Sequence, residues 1–254
     1  MKFPDLDIEE IGARSILVAQ NGPPATSFTL NPYSGCGMGC AYCYVMKFPH
    51  AREHPRPWGT WVQPKTNAAF LLGKMRAKIY GMRVFVGSAT DPYQYVERRY
   101  RLTRQCLKVL LECNLEKITV HTRSQVILDD LDLLKAFGDR LRVGFSVPTD
   151  DDRVRHKLEP KAPKIEVRLK TMRTLRAAGI TVTAALAPVL FCRPRRFAEL
   201  LKDAADGVYL GKMSYVERTG VAGMAAARRY FRSGEYEALV EELEGCLKEA
   251  GLDE

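Results

Sequence analysis

The stretch SGCGMGCAYCYV, residues 34–45, carries Cys36, Cys40 and Cys43. Thiols this close bridge, bind metal or pack as small apolar groups. Three on one short loop converge readily on a metal, and Gly35, Gly37 and Gly39 let the backbone wind closely around it, since glycine tolerates positive φ. A structural zinc takes four protein ligands, and His50 or His54 is a candidate fourth. A cubane iron–sulfur cluster also takes four, usually cysteines. With three, one iron stays open to bind a substrate or cofactor.

These residues need a scaffold. The chain has 254 residues, 46% of them hydrophobic, enough for a normal core. No apolar run is long enough to span a membrane, and MKFPDLDIEEIGARS does not read as a secretory signal. A cytoplasmic location is the expectation. Seven cysteines are then not a disulfide framework, and Cys106, Cys113 and Cys246, on helical patterns, read as packing.

Short β-branched or apolar runs recur at 28–33, 83–90, 117–124, 142–149, 180–189 and 207–214, with helical patterns between them. Leu102, Cys106, Leu110 and Cys113 share one helix face, as do Ile127, Leu131 and Leu134. Alternating strand and helix imply a parallel sheet covered by helices. Six such units fit an incomplete (β/α) barrel or a doubly wound sheet, and in both the site lies at the C-terminal ends of the strands. Residues 1–25 read as an N-terminal extension, 26–215 as the α/β body, and 216–254 as a C-terminal helical segment.

The net charge is +9. Basic clusters fall at Arg76, Lys78, Arg83, Arg98, Arg99, Arg101 and Arg104, at Arg193, Arg195 and Arg196, and at Arg228, Arg229 and Arg232. Such clusters suit nucleic acid, or a solvated helix face.

The spacing Cys36-x3-Cys40-x2-Cys43, with Tyr42 before the last cysteine, resembles the radical S-adenosylmethionine (SAM) signature. The stretches NPYSGCGMGCAYCY, GSATDPYQYVERRYRLTRQCL, VHTRSQVILDDLDLL and FSVPTDDDRVRHKLEPKAP extend the resemblance to the spore photoproduct lyase-like family. It implies a partial (β/α)6 TIM-type barrel with a [4Fe-4S] cluster on Cys36, Cys40 and Cys43. In that family the open iron binds SAM, and reductive cleavage yields a 5′-deoxyadenosyl radical that abstracts hydrogen. The resemblance places Tyr42 by the SAM adenine and Ser88, Thr90 and Asp91 at the methionine amino group. It places Arg123 on the carboxylate, where the lyases carry lysine, Ser146 at the ribose, and Ala187 and Pro188 beside the adenine. Each has a plainer reading: Ser88 and Thr90 as helix caps, Arg123 as a surface charge, Ser146 as a turn residue. Glu97 and Glu159 also match the family, as shapers of the site or as ordinary ion pairs.

Characterised lyases repair a thymine lesion in DNA and carry a hydrogen-donating cysteine where this chain has Ala89. That departure puts repair by the known route in doubt. Tyr44 and Cys192 are the remaining candidates for hydrogen relay, Cys192 also reading as a buried hydrophobe. The expected partners are DNA and an electron donor such as flavodoxin or ferredoxin. A radical SAM enzyme on a non-nucleic-acid substrate, and a zinc-stabilised nucleic-acid-binding module without catalysis, are the alternatives.

Overall fold

The computed structural model describes residues 6–20 and 27–252. Among these, ten strands form two sheets. They are β1 (Asp7–Ile8), β2 (Leu17–Gln20), β3 (Ser27–Leu30), β4 (Tyr33–Gly35), β5 (Trp61–Pro64), β6 (Arg83–Val86), β7 (Lys117–Thr122), β8 (Leu141–Ser146), β9 (Thr181–Leu186) and β10 (Gly207–Leu210). The large sheet runs β10-β9-β8-β7-β6-β3-β2. Its six strands from β3 to β10 are parallel and neighbour one another in chain order. Winding in one direction without reversal makes a partial (β/α)6 barrel, and it settles the choice against a doubly wound sheet.

All six expected strands are present, each ending before its run of β-forming residues does. Backbone pairing stops at Val86 and Thr122, so Ser88 to Asp91 and Arg123 lie in the turns beyond. The N-terminal stretch is more than a lead-in, because β2 pairs antiparallel with β3 and closes one sheet edge. β1, β5 and β4 form a small second sheet beside the cysteine loop.

Side chains facing the helices fill the core. Ile118 and Val120 on β7, Val143 and Phe145 on β8, and Val182 and Ala184 on β9 are fully buried. The helix Leu102–Leu111 buries Cys106, Leu107 and Leu110 in the same core, as its three–four spacing predicts, while Leu102 packs in a separate cluster with Tyr33, Val62 and Val96. Arg101 before it is left-handed (φ 53°). The Glu97 carboxylate caps the exposed helix N–H groups, accepting from Thr103 (3.0 Å) and Arg104 (3.1 Å). The final helix, Gly234–Glu249, starts on the Ser233 cap and packs against Pro194–Lys202.

Two glycines set the cysteine loop. Gly35 (φ 75°) lies against Trp61, where a Cβ would come within 2.5 Å of the indole. Gly39 (φ 62°) admits Gly59, whose own Cβ would lie 2.5 Å from the Gly39 Cα. Gly35→Ala is expected to destabilise the chain by about 2 kcal/mol, from left-handed strain plus the clash with Trp61. Urea denaturation checks this, and an unchanged midpoint contradicts it.

Candidate active site

A cavity of about 750 Å³ opens at the C-terminal ends of the strands and continues down the concave face of the sheet. Cys36, Cys40, Cys43 and Tyr42 line it from the loop after β4. Ser88, Ala89, Thr90 and Asp91 line it from beyond β6, Arg123 from beyond β7, and Ala187 and Pro188 from beyond β9. Residues far apart in sequence thus meet around one space of the size that holds a small ligand. Burial pushes all three thiols up, that of Cys43 to about 12.

Arg123 is not a surface charge. Its Nη1 donates to Cys40 Sγ (3.2 Å), to Tyr42 Oη (2.7 Å) and to the Glu159 carboxylate. Glu159 is fully buried, accepts from the Tyr42 hydroxyl, and pairs through its other oxygen with Arg168 (2.6 Å). Burial alone would raise the Glu159 carboxyl; Arg168 and Arg123 hold it below its ordinary value. Arg168, itself buried, also donates to the backbone oxygens of Pro163 (2.9 Å) and Ser146 (3.3 Å). The Nε and Nη2 of Arg123 make no hydrogen bond within the described residues, so they remain available to a ligand carboxylate.

The residues beyond β6 largely brace the site. Asp91 accepts from the Thr122 hydroxyl (2.6 Å) and from the backbone N–H groups of Tyr93 (2.9 Å) and Arg123 (3.0 Å). Its carboxylate thereby joins two strand ends. Thr90 donates to the Gly35 carbonyl (2.5 Å), and Gln94 links Thr90 to the Gly37 N–H (2.9 Å each). The Asn31 amide donates to Ser88 Oγ and accepts from the Ala89 N–H, both at 2.9 Å. Ser146, at the end of β8, is buried and does not line the cavity, and its Oγ has no hydrogen-bond partner among the described residues.

Other expectations need correction. Cys192 is buried and does not line the cavity; it lies in the core, where burial pushes its thiol up to about 12, and Tyr230 and Tyr236 are nearby. Tyr44 does line the cavity, half-exposed, its hydroxyl donating to the Ser88 carbonyl. Among the described residues Glu97 pairs with no base; it accepts from Tyr33 and two N–H groups, and burial raises its carboxyl to about 7. His54 stacks on Trp61 at 3.8 Å and His50 on Phe48, and neither lines the cavity, so they do not supply a fourth ligand there. The basic clusters are largely consumed by ion pairs: Arg76 with Glu112, Arg98 with Asp129, Arg101 and Arg104 with Asp130, Arg193 and Arg196 with Asp150, Arg232 with Glu217.

Asn31, Gln94 and Arg168 were not anticipated. Their partners lie 57, 57 and 9 residues away, and no local spacing signals them.

Residues 30–204 match the Radical SAM superfamily, and the chain belongs to it. An uncharacterised protein of Methanocaldococcus jannaschii is 29% identical over 170 residues, covering 66% of this chain and 62% of that protein. A radical SAM Nα-GlyT isomerase of Pseudomonas phage M6 is 29% identical over 160 residues, covering 63% and 32%. The match spans about three fifths of the length of the first such relatives. A spore photoproduct lyase variant superposes with a TM-score of 0.68 at 12% identity, covering 95% of this chain and 79% of that one. A spore photoproduct lyase with bound AdoMet and dinucleoside spore photoproduct gives 0.60 at 17%, covering 78% and 56%. These likenesses show the fold.

The superfamily uses a [4Fe-4S] cluster and SAM, and the donor set fits both. Among the described residues, no three His, Cys, Asp or Glu side chains are arranged to hold a single metal ion. A cubane does not need that, since each thiolate binds a different iron. The zinc reading gives way to this one.

Glu159→Gln is expected to cost about 3–5 kcal/mol, because it leaves Arg168 buried without its charge partner. In the wild type the Glu159 carboxyl sits below its ordinary 4.5, so its stabilisation is present above that pH and is lost as pH falls through the folded value. Denaturation midpoints across pH 3–7 (roughly the carboxylate range) should show that acid loss in the wild type and a flatter profile in Glu159→Gln. Parallel profiles contradict it.

Proposed function

We propose that this radical SAM enzyme acts on nucleic acid, at a lesion or modified base in DNA. What supports the reading is the mouth of the cavity. Tyr44, Tyr209 and Tyr215 are 41%, 53% and 49% exposed there, unusual for aromatic side chains of one cavity. The Lys47 ammonium sits 3.4 Å from the centre of the Tyr215 ring. Exposed aromatic faces beside a cation are how proteins hold unstacked bases. The shared fold with spore photoproduct lyases favours the same class of substrate.

The cluster and SAM, when bound, supply one-electron reductive cleavage and a radical that abstracts hydrogen from substrate. Cys36, Cys40 and Cys43 hold the cluster. Arg123 addresses the SAM carboxylate with its two unengaged donor groups. Tyr42 is fixed by Glu159 with its ring on the cavity, as an adenine neighbour. The Ala187–Pro188 backbone bounds the adenine side. Ser88, Thr90 and Asp91 act mainly by fixing the backbone. Ala89 offers only a methyl group to a product radical, so Tyr44 is the hydrogen-relay side chain in reach. Electrons come from an external one-electron protein such as flavodoxin or ferredoxin.

A second reading, a radical SAM enzyme on a non-nucleic-acid substrate, draws on the paired arginines and on Ala89. Anaerobic incubation with SAM, dithionite and thymine-lesion DNA separates the two. DNA-dependent formation of 5′-deoxyadenosine with a changed base is expected, and both are lost in Cys40→Ala. Deoxyadenosine that forms equally without DNA, and no changed base, favours the second reading.

Stacking at the mouth has its own test. Tyr215→Ala should weaken binding of a short single-stranded oligonucleotide by about 1–3 kcal/mol, the worth of one base–aromatic contact. With a net charge of +9, affinity should also fall as salt is raised. Fluorescence anisotropy measures both, and unchanged affinity in the variant contradicts the stacking role.

A further inference from the structure

Reducing the cluster adds one electron, taken from an external one-electron donor, and so one negative charge to the core and its thiolate sulfurs. Hydrogen bonds and charge at those sulfurs set how readily this happens. The three sulfurs are not surrounded alike. Cys36 is faced by the backbone N–H groups of Met38 and Asp91, and Cys43 by that of Val45. Cys40 is met by a charged side chain. Arg123 Nη1 stands 3.2 Å from its sulfur, and no other side chain among the described residues donates to any of the three. Cys40 is buried and the Arg123 side chain is 15% exposed, so the charge acts more strongly there than it would in water. Two anions face the same place: Glu159 accepts from Arg123 Nη1, and Asp91 from the Arg123 backbone N–H. Alone they would oppose a more negative cluster. The guanidinium counters them at Cys40, and Arg168 offsets Glu159 from its far side (2.6 Å).

We propose that Arg123 tunes the cluster: its guanidinium, held beside the Cys40 sulfur by Glu159, stabilises the reduced state and makes the electron easier to add. The inference concerns the cluster and not the substrate, so it stands apart from the nucleic-acid reading. Nη1 brings two hydrogens to three acceptors, Cys40, Tyr42 and Glu159, so Arg123 acts on the sulfur by its permanent charge as well as by a shared N–H. Arginine suits this double duty. Nη1 serves the protein, while Nε and Nη2 make no hydrogen bond among the described residues and are left for a ligand.

The test is a potentiometric titration of the anaerobically reconstituted protein without SAM, so that a lost SAM contact cannot enter. Electron paramagnetic resonance reads the reduced cluster. Arg123→Met should make reduction about tenfold less favourable, the worth of one charge-assisted hydrogen bond. That is a fall of about 59 mV for a one-electron couple. Arg123→Lys, which keeps the charge, should fall less. Iron and sulfide analysis and thermal melting check that each variant is loaded and folded. Where Arg123→Met holds no cluster, the equally neutral Arg123→Gln takes its place. A loaded neutral variant at the wild-type potential overturns the inference and leaves cluster and SAM binding standing. A fall as large in Arg123→Lys overturns it too, since the charge is then not what the cluster feels. A wild type that takes up no cluster ends the radical chemistry, and this inference with it.

Discussion

One buried carboxylate organises the site. Glu159 is shut away from water between Arg168 and Arg123, a placement that costs several kcal/mol per ion unless the partners are well aligned. They are, and each arginine carries the constraint outward. Arg168 reaches the Ser146 carbonyl at the end of β8, and Arg123 reaches Cys40 and Tyr42 in the cysteine loop. The loop is also tied at its backbone, where Ala41 N–H donates to Leu158, next to Glu159 (2.8 Å). The ends of β7 and β8 and the loop are thus referred to one point.

Around that point the chain trades pairing for chemistry. The strands stop short, and the freed turns are rebuilt with side chains: Asp91 across the β6 and β7 ends, Asn31 across β3 and β6, Thr90 and Gln94 onto the loop. Such braces hold a constellation within the tolerance that catalysis demands. What they do not fill is the inner wall, where Thr119, His121 and Gly144 leave polar room below the strand ends.

Much of this was legible in the sequence because its signals are local. Cys36, Cys40 and Cys43 announce a metal loop by spacing alone, and six β-branched runs separated by amphipathic helices announce the parallel sheet. The misreadings arise where meaning is tertiary. Arg101 and Arg104 read as a basic patch until Asp130, 29 and 26 residues on, is seen beneath them. Asp91 belongs by resemblance to a ligand-contacting segment, and only the fold shows that its carboxylate also braces the backbone through Thr122 and two N–H groups. Cys192 follows a strand end, as a site residue would, but the chain turns it into the core. Charge and position in a sequence name a residue's capacity; only packing decides on what it is spent.

The central claim is that three thiols hold a cubane with one iron left for SAM. Anaerobic reconstitution followed by iron and sulfide analysis, with electron paramagnetic resonance of the reduced protein before and after SAM, tests it most directly. About four irons and four sulfides per chain, with a cluster signal that changes when SAM is added, is the predicted result. A colourless protein with a single zinc, or a cluster signal indifferent to SAM, would contradict it.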